Sequence, residues 1–244
     1  SFKHYHVKLP GKTLDTFSQI SQIHQDNQNP DILWLRVFVK LVSFNQRSGQ
    51  KKIYGIGSDK SQLKSIKIVS HIYQDLSGLL WLVGDGKLLR YDPVSDKILP
   101  FRKKEIEDAV ISVTPSLIDP NIIWVGYEGY VEKLNTGSFE SEIIAPPAGD
   151  SGIYFSHVAE SLSGESKLLL VAWQKGLFEF DRKNGQLTHF FHDPDNPFSL
   201  SNDTIFNMVQ EKSGDLWLAT YDGLNRLVRS QPLIHVYKQA KHGK

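Results

Sequence analysis

The chain has 244 residues, 40% of them apolar, and carries 28 basic against 27 acidic side chains, for a net charge of +1. A core of real size is therefore possible, while the near-neutral balance gives no electrostatic footing for nucleic acid or an anionic membrane. The absence of cysteine excludes disulfides and thiolate chemistry and suits either the cytosol or a Gram-negative periplasm.

In chain order, one pattern of about 45 residues returns five times. It reads as a strand, an acid or Ser before a turn, a second apolar strand, a turn, a third strand ending in Asn or Asp, a turn, and an aromatic-tipped fourth strand. The anchors of the second strand are Trp34, Trp81, Trp124, Leu170 and Trp217. The acid or Ser is Asp26, Asp75, Ser116, Ser161 or Glu211, and the third strand ends at Asn45, Asp92, Asn135 and Asp181. Four short strands per unit at this period predict an all-β chain of β-propeller blades. No window sustains a helical apolar stripe over three turns.

The run Phe2–Val7 (FKHYHV) reads as the closing strand of a unit whose other three strands are missing. Blades then follow at about 14–57, 66–103, 110–144, 153–191 and 204–237, in a single propeller domain over 1–244. The first lacks a Gly-rich turn after its Trp, reading WLRVFVKLVSF, and the third replaces the acid-x-x-Gly turn with SLIDPN. IAPPAGDSG and HDPDNPFSLSN connect the last three units. Six closing runs for five copies of the other strands favour a piece of a larger ring, with five-bladed closure the alternative. No run has the length of a membrane span or the form of a signal peptide, and both ends read as cut from something longer.

The repeated I-x-x-x-x-Q-[DE]-x-S-G-x-L-W-L, followed by DG-L-x-R, resembles the two-component regulator propeller repeat, and the connector DPDNPFSLSND is similar to the one typical of that family. The resemblance covers nearly the whole chain, being fullest in the second and fifth units. It implies a seven-bladed propeller, often paired with a second one, serving as the extracytoplasmic, periplasmic sensor of a histidine kinase, hybrid kinase or diguanylate cyclase, with a carbohydrate fragment as a common ligand.

The anchor tryptophans read as packing between blades, and the acids as acceptors for turn amides. Positions that vary where the pattern would hold them alike are the candidates for binding. The turns between second and third strands carry Asp85, Lys87, Tyr127, Glu128, Tyr130, Trp173, Lys175, Tyr221 and Asp222. Aromatic rings flanked by hydrogen-bonding groups suit a sugar, by stacking and polar contacts to hydroxyls. Gln22, His71, Ser112, His157 and Asn207 share one register of the first strand, as a polar ring or as hydrogen bonds between blades. No catalytic motif, metal-ligand spacing or cofactor signature is present. The expectation is a non-enzymatic module that binds a small ligand, takes no cofactor, nucleic acid or membrane, and dimerises in its full-length protein. The alternatives are a propeller lyase or hydrolase, for which His157 or His189 would be tested, and a passive scaffold.

Overall fold

The computed structural model describes residues 20–54, 68–75, 77–101, 108–146, 152–162, 166–230 and 233–237. The FKHYHV run lies outside these residues. The architecture is all-β, in five four-stranded antiparallel sheets whose strands follow one another in sequence order, as propeller blades do. The first holds β1 (Ile20–Gln25), β2 (Ile32–Val37), β3 (Lys40–Asn45) and β4 (Lys51–Tyr54), and the second β5 (Val69–Gln74), β6 (Leu80–Gly84), β7 (Lys87–Asp92) and β8 (Lys97–Pro100). In the third are β9 (Ser112–Pro115), β10 (Ile122–Gly126), β11 (Val131–Asn135) and β12 (Ser141–Ile144). The fourth has β13 (Phe155–Glu160), β14 (Lys167–Ala172), β15 (Gly176–Asp181) and β16 (Leu187–Phe190). The fifth has β17 (Ile205–Gln210), β18 (Leu216–Thr220), β19 (Gly223–Val228) and β20 (Leu233–Tyr237). Every predicted blade span encloses one sheet. The chain divides into two compact units, Ser1–Val113 and Thr114–Lys244.

Turn chemistry sets the strand ends. The residue closing each of the first four third strands accepts turn amides on its side chain: Asn45 from Arg47 and Ser48, Asp92 from Val94, Asn135 from Gly137 and Ser138, and Asp181 from Lys183. Four residues further on, the backbone turns left-handed at Gly49, Asp96, Phe139 and Gly185. Phe139 tolerates φ 64° at a position where its counterparts are glycine or aspartate. The first blade closes its β2–β3 hairpin without glycine, by placing Phe38 at φ 54°.

The acid and the anchor Trp form one device. Asp26 accepts Trp34 Nε1 at 2.7 Å, Asp75 accepts Trp81 Nε1 at 2.9 Å, and Glu211 accepts Trp217 Nε1. The fourth blade has lost both partners together, with Ser161 and Leu170. The third kept only the indole: Trp124 is fully buried, and its Nε1 has no hydrogen-bond partner among the described residues. Trp217 departs from the expectation of an inter-blade core side chain, for it is half-buried between Tyr237 and Arg226.

Within each unit the blades are joined by repeated polar contacts. The last side chain of a first strand reaches back to an amide of the blade before it: Gln74 Oε1 accepts Asn27 N at 2.7 Å, Glu160 Oε2 accepts Leu117 N at 2.9 Å, and Gln210 Oε1 accepts Leu162 N at 2.7 Å. Apolar packing lies beneath, with Trp34, Leu41 and Tyr54 against Val69, Ile72 and Leu82 in the first unit. In the second unit, Trp124 and Ile122 pack on Phe155 and Val158, and Leu169 and Val171 on Leu216 and Leu218.

Candidate functional site

Each candidate turn is a hairpin between the second and third strands of its blade, but the loops differ in length and so in what they present. Asp85 and Gly86 form a two-residue hairpin, both with positive φ, the geometry that asparagine, aspartate and glycine accept most readily. Asp85 is exposed, and its Oδ1 accepts Ile68 N at 2.9 Å. Lys87 is exposed at the start of β7. These two belong to the first unit.

The other candidates belong to the second unit. Four residues, Tyr127 to Tyr130, connect β10 to β11, and Tyr127 N bonds Tyr130 O at 3.0 Å. That closure turns the Tyr127 ring inward: it is 1% exposed, stacks on Tyr130 at 4.6 Å and donates its hydroxyl to buried Glu132 at 2.9 Å. Tyr127 thus fills the blade interior and offers no face to a ligand at the surface. Glu128 stays exposed and pairs with Tyr154 in an isolated antiparallel bridge.

Tyr154 links two of the candidates, and only the fold reveals it. It precedes β13, its carbonyl accepts Trp173 N at 3.0 Å, and its backbone is the bridge partner of Glu128. Glu128, Tyr154 and Trp173 therefore meet at one junction, the two rings 43% and 46% exposed. Lys175, also exposed, closes the three-residue loop Trp173–Lys175 by bonding Ala172 O, while His189 Nε2 donates to the Lys175 carbonyl at 2.6 Å. In sequence, nothing but an aromatic residue just ahead of a strand marks Tyr154.

Tyr221 and Asp222 connect β18 to β19. Tyr221 is 71% exposed, with the half-exposed ring of Phe206 at 6.3 Å. The connector before the blade fixes this turn. Asn202 Nδ2 donates to Asp222 Oδ2 at 2.9 Å, and Ser201 bonds both Thr220 and the fully buried Asn225. Asp203 O accepts Gly176 N, which ties the same connector to the Trp173 hairpin. The SLSND sequence thus orients the Tyr221 turn, residue by residue.

The first-strand register divides. Gln22 bonds the Ile72 peptide of the neighbouring blade, while Asn207 is exposed and accepts its neighbour's Met208 amide. His157 is largely desolvated, and burial holds its imidazole below the usual histidine range, favouring the neutral form. His189 stacks flat on Phe178 at 4.1 Å. Of the two histidines named for an enzyme, His157 is thus shielded from solvent, while His189 stays exposed with its ring on Phe178.

No family model and no curated protein matches the chain. Solved structures share its fold. They include the extracellular domain of BT4673 from Bacteroides thetaiotaomicron, described as a hybrid two-component system, with a TM-score of 0.67 and 20% identity over 90% of this chain and 28% of that one. The extracellular domain of BT3049 from the same organism, described likewise, gives 0.63 and 17% identity over 93% and 36%. An auxiliary nutrient binding protein of Bacteroides thetaiotaomicron gives 0.61 and 13% over 91% and 57%. The chain spans about 28% of the first of these structures. At such identities the likeness is one of fold.

Proposed function

We propose that the chain is an extracytoplasmic ligand-sensing module of a bacterial signalling protein, without catalytic activity of its own. Two neighbours in fold are extracellular domains described as parts of two-component systems, and a third is described as binding nutrients. The observation that carries the binding role is the junction of Glu128, Tyr154 and Trp173, where two half-exposed rings and a carboxylate are held together by backbone pairing. Lys175 lies in the same hairpin as Trp173, Tyr221 and Asp222 in the equivalent turn of the next blade, and Asp85 and Lys87 in the corresponding turn of the first unit. Rings edged by hydrogen-bonding groups suit an oligosaccharide. Binding would favour one arrangement of a dimer in the periplasm and so bias an attached kinase or cyclase. Titration with oligosaccharides by calorimetry tests this reading. Saturable binding without turnover supports it, and turnover of the bound sugar would overturn it.

A further inference from the structure

A cleft of about 620 Å³ opens between the first two blades, inside the unit Ser1–Val113. It lies at the strand ends opposite the β2–β3 and β6–β7 hairpins, lined by the loop after β1, the turn after β5 and Pro93 after β7. Its size falls in the range of about 300–1,000 Å³ typical of small-molecule sites.

The wall is built to stay in place. Trp34, Tyr54 and Tyr91 pack edge-on or tilted with centroids 4.9 to 5.7 Å apart. Asp96 accepts both tyrosine hydroxyls, at 3.1 Å from Tyr54 and 2.9 Å from Tyr91, and is itself paired with Lys52. Trp34 and Tyr54 are buried, so Tyr91 is the ring left with accessible surface. The rim comes from both blades. Gln28 of the first lies across Gly78 of the second so closely that a Cβ there would sit 2.4 Å from Gln28 Cγ.

The lining chemistry selects among ligands. Asp26 is the only charged side chain among the described residues of the wall, and its carboxylate already accepts Gln28 N at 2.8 Å, Asn29 N at 2.9 Å and Trp34 Nε1 at 2.7 Å. An anion would meet no cation there, and a cation would meet a carboxylate already supplied with donors. The hydroxyls of Tyr54, Tyr91 and Ser77 are engaged by Asp96 and Asp75, and side-chain amides remain. Gln28 uses its Nε2 on Asn27, and Asn29 uses its Oδ1 on Asp31 N, which leaves the Gln28 carbonyl and the Asn29 amino group to other partners. A mixed donor and acceptor rim beside one aromatic ring matches an uncharged, hydroxyl-bearing ring compound.

We infer that this cleft is a second binding site, separate from the hairpin turns, for a neutral saccharide of one or two rings. The test is ligand-observed saturation-transfer NMR on the full chain, with cellobiose and maltose as neutral probes and glucosamine and glucuronate as charged ones. Saturable binding of a neutral probe is expected, weakened about tenfold by Gln28→Ala with Asn29→Ala and unchanged by Trp173→Ala. Both rim residues are exposed, and an unchanged melting temperature for the double variant checks that loss of the Gln28 contact with Gly78 leaves the blades packed. Tyr91→Phe, which keeps the ring, is expected to retain binding. Absence of neutral binding, preference for a charged probe, or binding that Trp173→Ala abolishes and the rim variants spare would each overturn the inference.

Discussion

The Gln22 side chain pairs with the Ile72 peptide on both sides, donating from Nε2 to Ile72 O at 2.7 Å and accepting Ile72 N at 3.1 Å. One side-chain amide thereby stands in for a strand residue and satisfies a backbone donor and acceptor of the next blade. Gln22→Ala leaves both groups without that partner. The first unit is expected to lose about 1–3 kcal/mol, read as a lower midpoint in urea unfolding with an unchanged slope. A neutral result would show that solvent replaces the amide without cost.

Trp124 offers the converse experiment. Its indole N–H is buried without a hydrogen-bond partner among the described residues, and Ser116 stands where three of the other four blades carry an acid. Ser116 also caps the amides of Ile118 and Asp119 and meets Glu160, so a new carboxylate there would face another. Asparagine avoids that conflict: its carbonyl can cap or accept the indole, and its amino group can donate to Glu160. Ser116→Asn is expected to stabilise the protein by about 1 kcal/mol in thermal or denaturant unfolding.

Glu179, in the fourth blade, is buried between Lys167 at 2.8 Å and Arg229 of the fifth blade at 2.6 Å. Glu179→Ala strands Arg229, whose side chain is only 16% exposed, and should cost about 3–5 kcal/mol. Replacing both residues with leucine removes the charges together and is expected to recover most of that loss. A double-mutant cycle reads the difference.

Asp26 gives the pH dependence. Burial alone would raise its pKa, yet the bonds from Trp34 and the Asn29 and Gln28 amides outweigh burial and hold it below the usual aspartate value. A depressed carboxylate stabilises the fold above its unfolded pKa and loses that contribution as the pH falls through the folded one. Wild-type stability should therefore decline below about pH 4, and Asp26→Asn should flatten that acid limb while lowering stability at neutral pH. Urea melts across pH 2.5 to 7 would show it.

Trp173 is nearly half exposed, so Trp173→Ala is expected to weaken ligand binding at the hairpin turns by about 1–3 kcal/mol, with binding in the cleft of the first unit and the melting temperature little changed. A large loss of stability would assign the ring to packing instead.

The repeat itself was legible because its punctuation is chemical: Asn45, Asp92, Asn135 and Asp181 end their strands by capping the turns that follow, and the capped turn repeats at one spacing. The acid–indole bonds were hidden, since the partners face each other across a hairpin at a variable separation, eight positions from Asp26 to Trp34 but six from Asp75 to Trp81. Tyr127 shows the corresponding limit at the candidate site. It stands three residues after Trp124, as Trp173 does after Leu170, yet a four-residue loop folds one ring in and a three-residue loop leaves the other out. Tyr154 was invisible for a related reason, because its role comes from pairing with residues on either side of it in space.

The backward reach of Gln74, Glu160 and Gln210 has a consequence for how such an array changes over generations. The fourth repeat carries in one stretch the acceptor for its predecessor, Glu160, and the amide offered to its successor, Leu162. A tandem duplication of that repeat would therefore create a new joint already complete, and its excision would bring the Leu117 amide to Gln210, an acceptor of the same kind. Gene length could drift there by one repeat at a time while each surviving seam kept its fastening.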